Sequence, residues 1–268
     1  MTDNTLSKGA GTDAARPEGA EAGAAGTTHF GFRTVAAADK AGLVREVFDS
    51  VASRYDLMND LMSGGIHRLW KRAFLDWLRP RPSMTLLDVG GGTGDIAFGF
   101  KKRGGGPVMV CDINAEMLHV GRDRGFDRGL TRGIAWVCGN AEHLPVPDRA
   151  VNAYTIAFCL RNVTDIPQAL ADAYRVLKPG GRFMCLEFSH VAIPALRAVY
   201  DAYSFSVLPR IGAMVAGNAD AYRYLAESIR RFPPQDALAA MIADVGFERV
   251  EVRNLSGGIA AIHSAWRL

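Results

Sequence analysis

A glycine-rich turn lies between two acidic residues in Leu86-Leu-Asp-Val-Gly-Gly-Gly-Thr-Gly-Asp95. Glycines at 90, 92 and 94 permit a tight turn and let a ligand approach bare backbone. Asp88 stands before the turn, and Asp112 ends the next apolar run, 22 residues beyond Gly90. A carboxylate at that distance can accept both hydroxyls of a ribose. Asn140-Ala141-Glu142 follows a third apolar run, where contact with a base edge is expected. Arg161-Asn162 follows a fourth. That is the carboxyl edge where open sheets bind ligands. For Asp88 and Asp112 the plain alternative is a helix cap or turn residue, and for Arg161 a surface side chain capping a strand end.

The spacing excludes other ligands of glycine-rich turns. A dinucleotide pattern laid on Gly90 and Gly92 requires Gly or Ala at 95, and Asp95 stands there, where it would repel a pyrophosphate. No Lys-Ser or Lys-Thr completes a phosphate loop. Cys111, Cys138, Cys159 and Cys185 form no CxxC pair, and each is read as a buried hydrophobe of a core strand in a reducing compartment. His67, His119, His143, His190 and His263 show no ligand spacing, so no metal is expected.

These residues must be held by a strand–turn–helix pattern that begins at Met84. Strands are predicted at 84–89, 107–112, 134–138, 151–158, 181–188, 247–255 and 259–267. Helices are predicted near 94–103, 114–124 and 165–177, with another from Pro233-Pro234 to near Gly246. Short apolar strands alternating with helices indicate a parallel sheet covered on both faces. Ahead of it, Leu43, Val47, Phe48, Val51 and Tyr55 recur at helical spacing, with Asp39 as N-cap. In a second helix, Ile66, Leu69, Trp70, Ala73, Phe74, Trp77 and Leu78 share one face, with His67, Arg68, Lys71 and Arg72 off it. Residues 194–230 are again helical and rich in Tyr, Phe and Met.

The chain has 268 residues, 49% hydrophobic and 22% charged, and a net charge of +3. That is enough for a full core without disulfides, and too weakly basic to argue for nucleic acid. The longest stretch without Asp, Glu, Lys or Arg is Asn254 to Trp266, 13 residues, short of the about 20 that a spanning helix requires. Residues 1–28 hold 17 Ala, Gly and Thr and no aromatic, and are read as a disordered cytoplasmic extension without a secretory h-region. One domain is expected over 29–268: N-terminal helices at 29–80, a ligand-binding core at 84–190, a helical substrate or lid region at 194–230, and a closing helix and strands at 234–268.

Asp88-x-Gly90-x-Gly92-x-Gly94 resembles the first motif of S-adenosylmethionine (SAM) dependent methyltransferases. SAM has no phosphate and carries an amino group and a sulfonium, which acidic neighbours suit. A closer resemblance covers nearly everything from His29 onward. Its specific segments are Val47-Phe-Asp-Ser-Val-Ala-Ser-Arg-Tyr-Asp-Leu-Met-Asn-Asp-Leu-Met62 and Asp220-Ala-Tyr-Arg-Tyr-Leu-Ala-Glu-Ser-Ile-Arg230. Gly65-Ile-His-Arg-Leu-Trp-Lys-Arg72 and Leu160-Arg-Asn-Val-Thr-Asp165 support them. In these the chain resembles the ubiquinone/menaquinone biosynthesis C-methyltransferases, the UbiE family.

The resemblance implies a Rossmann-like class I methyltransferase with a mostly parallel seven-stranded sheet, N-terminal helices and a helical insertion before the last two strands. It implies SAM contacts at Thr93, Asp112, Asn140 and Ala141 beside Asp88, Gly90 and Gly92. A further family contact, usually serine, falls on Ala157, which offers only packing or backbone, and Cys159 stands where the family has glycine. The implied reaction is methylation of a ring carbon on a polyprenylated benzoquinol or naphthoquinol, with Arg161 activating the quinol. A guanidinium keeps its proton, so its role would be electrostatic, a water carrying the proton away. Asn162 and Tyr55 are substrate-side candidates, Tyr55 equally a core residue. Helix 66–78 and the region around Tyr200 to Met214 could serve either as core or as peripheral contact with the substrate's membrane. A homodimer and association with other quinone-synthesis enzymes are further expectations. Two alternatives stand beside this one: a methyltransferase acting on another lipid or small molecule, and a catalytically silent SAM-binding scaffold.

Overall fold

A computed structural model of the chain describes residues 26–51, 60, 63–191, 203, 206 and 219–268. The predicted tail over 1–25, Tyr55, and all of 194–218 except Tyr203 and Ser206 lie outside the described residues. The strands are β1 (Thr27–Phe30), β2 (Arg33–Ala36), β3 (Leu86–Val89), β4 (Val108–Asp112), β5 (Ile134–Cys138), β6 (Val151–Ala157), β7 (Leu177–Phe188), β8 (Glu248–Leu255) and β9 (Ala260–Arg267). The helices are α1 (Ala37–Val51), α2 (His67–Leu78), α3 (Asp95–Lys102), α4 (Ala115–Asp127), α5 (Ile166–Val176), α6 (Ala219–Arg231) and α7 (Gln235–Asp244).

Seven strands form one sheet in the order β5-β4-β3-β6-β7-β9-β8. The first five run parallel, and β9 is antiparallel to both β7 and β8. Chain order reverses at β3, which lies between β4 and β6. Open sheets of this type bind ligands beyond the carboxyl ends of the strands at such a reversal.

The two-residue period of a strand divides the core. Leu86 and Val110 pack with Trp70, Phe74, Ile96 and Tyr222 on one face. Leu87, Val89 and Tyr154 pack with Leu170, Leu238 and Ile242 on the other. Asp88 and Thr155, adjacent in register on β3 and β6, are both buried.

The N-terminal region departs from the helices-only expectation. Residues 27–36 form a β-hairpin whose first strand starts at Thr27, inside the predicted tail. Its turn is clasped by α6, where the Phe32 amide donates 3.0 Å to Glu227 Oε2. α1 begins at Ala37, so Asp39 lies in the first turn and is not the cap. On α2 the buried stripe is rotated from the predicted one. His67 and Leu75 are buried, while Ile66 and Leu69 are 39% and 58% exposed. The cysteines also divide: Cys111 and Cys185 are buried, Cys159 is intermediate and Cys138 exposed, because the edge strand β5 has only one sheet neighbour.

Gly31 tests the clasp. Its φ is +60°, and an added Cβ would lie 2.3 Å from Glu227 Oε2. Gly31→Ala is expected to lower stability by about 1–2 kcal/mol, through backbone strain and the displaced Glu227. Thermal denaturation should show a midpoint several degrees lower.

Candidate SAM-binding and methyl-transfer site

A cleft opens above the carboxyl ends of β3, β4 and β6. Its floor is the turn from Gly90 to Thr93, and its walls include Asp112, Asn140, Ala141, Ala157 and Asn162. α1 contributes Val44 and Phe48, and α2 contributes Lys71. α1 is tied down at both ends of this roof. Lys40 Nζ donates 2.7 Å to the Val163 carbonyl, and Asn114 Nδ2 donates 2.7 Å to Asp49 Oδ1.

The turn needs its glycines. Gly90 has φ +59°, and an added Cβ would fall 2.2 Å from Cys159 Sγ. Cys159 therefore occupies the space that a side chain at 90 would take. Gly92 has φ +49° and donates its amide 2.9 Å to Asp112 Oδ2. The Asn114 amide donates 2.9 Å to the other oxygen, Oδ1. A carboxylate has about four acceptor sites, so Asp112 keeps capacity for two hydroxyls.

Asp88 is 1% exposed, and its Oδ1 accepts from the Thr155 hydroxyl at 2.8 Å. Its Oδ2 is buried without a hydrogen-bond partner among the described residues. Burial pushes the Asp88 carboxyl up to about 7; the Thr155 hydroxyl opposes this and the Asp112 charge adds to it. Burial likewise pushes Asp112 up to about 6, against the backbone amides that favour its ionised form. Asp95, which excluded a pyrophosphate on sequence grounds, sits at the start of α3 between Lys71 Nζ at 2.7 Å and Arg124 Nη2 at 3.0 Å. Burial alone would raise it, but these two cations hold it below the usual carboxylate range.

The cleft fits SAM on its own chemistry. The glycine turn leaves space that a Cβ would fill, the Asp88 carboxyl lies directly beneath that turn, and Asp112 offers acceptors to a ribose. Lys71, off the apolar face of its helix by periodicity, adds an ammonium to the cleft lining. Arg45 of α1 also lines the cleft and was missed. Among the described residues no group of acidic, His or Cys side chains could hold a metal.

Arg161 is placed differently from Asn162. Both are buried in a short 3₁₀ turn, Leu160–Asn162. Asn162 lines the cleft, and Arg161 is not among its lining residues. The Arg161 Nη1 donates to the Phe158 carbonyl at 2.6 Å and to the two Glu187 oxygens at 3.1 and 3.0 Å. Both side chains are almost wholly buried, 1% and 2% exposed, which removes the surface-arginine alternative. Burial raises the Glu187 carboxyl and the Arg161 cation opposes that rise.

A parallel sheet reversing at β3, a strand–glycine turn–helix, and a ribose-type carboxylate at the end of β4 define a class I SAM-dependent methyltransferase. Solved structures share the architecture: a possible histamine N-methyltransferase from Thermotoga maritima (TM-score 0.60, 18% identity, 83% of this chain and 99% of that one). The [4+2]-cyclase SpnF is similar too, with TM-score 0.62 at 17% identity over 85% of this chain and 96% of that one. Residues 33–267 match the ubiE/COQ5 methyltransferase family, and the chain belongs to it. The ubiquinone/menaquinone biosynthesis C-methyltransferase UbiE of Paracoccus denitrificans is 58% identical over 242 residues, covering 90% of this chain and 97% of that one.

Three outcomes are expected in SAM titrations. Asp112→Ala should weaken binding at least tenfold, because hydrogen bonds to a charged acceptor contribute about 1.5–3 kcal/mol each. In the wild type, affinity should rise with pH between about 5 and 7. Asp88 and Asp112 have raised pKa values, so below those values each must lose a proton before it can serve a cation or a ribose as a carboxylate. Asp88→Asn should flatten the upper part of that rise. Calorimetry across pH reads all three.

Proposed function

We propose that this chain transfers a methyl group from SAM to a ring carbon of a polyprenylated quinol, a methoxy-benzoquinol, a demethylmenaquinol or both. The observation that carries this reading is the opening of a SAM-type cleft directly onto the Leu160–Asn162 turn, in a chain of the ubiE/COQ5 family.

SAM supplies an electrophilic methyl: its S–CH₃ bond would break as the ring C–CH₃ bond forms, S-adenosylhomocysteine would leave, and the methylated carbon would lose its proton to water to restore the aromatic ring. An aromatic carbon becomes a sufficient nucleophile only when its hydroquinone oxygen loses proton density. Asn162, on the cleft wall, offers an amide to that oxygen, and the Arg161 cation lies one residue behind it. Glu187 balances the Arg161 charge in the resting protein and fixes the guanidinium. The pair thus sets the local field and the shape of the turn. α1 and α2 roof the cleft with Val44, Phe48 and Lys71 and hold the two substrates against each other, so positioning contributes to rate.

The substrate is a membrane lipid, and among the described residues no helix is long and apolar enough to cross a membrane. Ile66, just ahead of α2, and Leu69 on it are exposed beside exposed Arg72 and beside Arg68, whose guanidinium is held by Asp60 at 2.7 Å. We place peripheral contact with an anionic membrane there, apolar side chains flanked by cations.

Methyl-transfer assays with separate benzoquinol and naphthoquinol acceptors test the reading, and absence of transfer to either overturns it. The Arg161 role is tested with charge-neutral variants. Arg161→Gln alone leaves a buried, unpaired Glu187 and should cost about 3–5 kcal/mol of stability. Arg161→Gln with Glu187→Gln should regain most of that stability. If the cation stabilises the developing oxyanion, single-turnover transfer in the double variant should still be roughly 10²–10³ slower than wild type. A double variant near the wild-type rate would return the pair to a structural role.

A further inference from the structure

Tyr224 lies on α6, 62 residues from the turn it touches, and is 4% exposed. Its ring stacks on Phe30 of the N-terminal hairpin, with centroids 4.2 Å and planes 19° apart. Its hydroxyl donates 2.9 Å to Asn162 Oδ1. Burial holds that hydroxyl well above the ordinary tyrosine range, with Arg161 opposing and Cys159 and Glu187 adding to the shift. It is therefore a neutral donor at any working pH.

An amide presents a carbonyl at one end and an NH₂ at the other. The carbonyl would repel an oxygen that is gaining negative charge, whereas the NH₂ would stabilise it. Tyr224 occupies the carbonyl end of Asn162, which leaves the NH₂ for the cleft that Asn162 lines.

We propose that Tyr224 is a positioning residue for methyl transfer, holding the Asn162 amide with its NH₂ toward the quinol oxygen. This rests on the quinol reading given above. α6 and the hairpin that stacks on it thereby belong to the substrate side of the site, although neither supplies a side chain to the cleft wall described here.

The test is Tyr224→Phe, which keeps the ring and its stacking on Phe30, compared with Asn162→Ala and with the double variant. SAM affinity should stay near wild type, and the thermal midpoint should fall by only a few degrees, the cost of one unpaired buried carbonyl. The methyl-transfer rate at saturating SAM should fall about tenfold, the scale of one lost buried hydrogen bond. The double variant should be no slower than Asn162→Ala alone, because Tyr224 acts only through Asn162. A Tyr224→Phe rate within twofold of wild type overturns the proposal, as do losses that multiply in the double variant. Equal losses of SAM affinity and thermal stability overturn it too, by making Tyr224 structural. A wild type inert toward both quinols overturns the quinol reading and this inference together. An active wild type confines any failure to Tyr224.

Discussion

Two carboxylates at the carboxyl ends of adjacent parallel strands constrain the whole site. Asp88 and Asp112 are carried on β3 and β4, strands made otherwise of apolar side chains. Burying a carboxylate is costly unless hydrogen bonds favour it. For Asp112 the Gly92 and Asn114 amides provide them, so ligand acceptor and glycine turn form one unit. For Asp88 the Thr155 hydroxyl satisfies one oxygen only. The fold thus keeps a costly buried acid beneath the turn, opposed only in part by the Thr155 hydroxyl and the Ala97 backbone. The glycines follow from the same constraint, since a Cβ at 90 or 91 would strike Cys159, Val110 or Asp88.

Charge is balanced in layers around this floor. Lys71 and Arg124 neutralise Asp95 at the start of α3. Lys40 pins α1 over the cleft through a backbone carbonyl, although burial lowers its own pKa. At the Leu160–Asn162 turn, Arg161 and Glu187 form a buried ion pair, and Tyr224 and Asn162 a neutral hydrogen-bonded one. Carboxylates thus gather at the glycine turn, and one compensated cation lies behind Asn162.

Much of this is legible in the sequence because it is local. The seven strands and the α3–α5 helices follow from short apolar runs and turns, and their limits shift by only a few residues. The larger shift is at β7, which begins at Leu177 because Leu177 pairs with Val151 ahead of the glycine pair. Asp88, Gly90, Gly92, Thr93, Asp112, Asn140, Ala141, Ala157 and Asn162 all line one cleft, as their positions after strands imply. What spacing could not give is long-range pairing. The Arg161–Glu187 pair joins residues 26 apart in sequence, and the Tyr224–Asn162 bond joins residues 62 apart. Nor could periodicity resolve α2. His67 is buried because Asp60 accepts from its ring at 2.8 Å, a partner invisible to a hydrophobic pattern. The hairpin at 27–36 was missed because its strands are only four residues each and partly polar.

The most direct measurement is a crystal structure of the chain with S-adenosylhomocysteine. The account predicts both ribose hydroxyls within hydrogen-bond distance of Asp112, the amino group on the Asp88 side of the glycine turn, and the sulfur facing the space beside Asn162. A ribose bound away from Asp112, or a sulfur turned from Asn162, would contradict it.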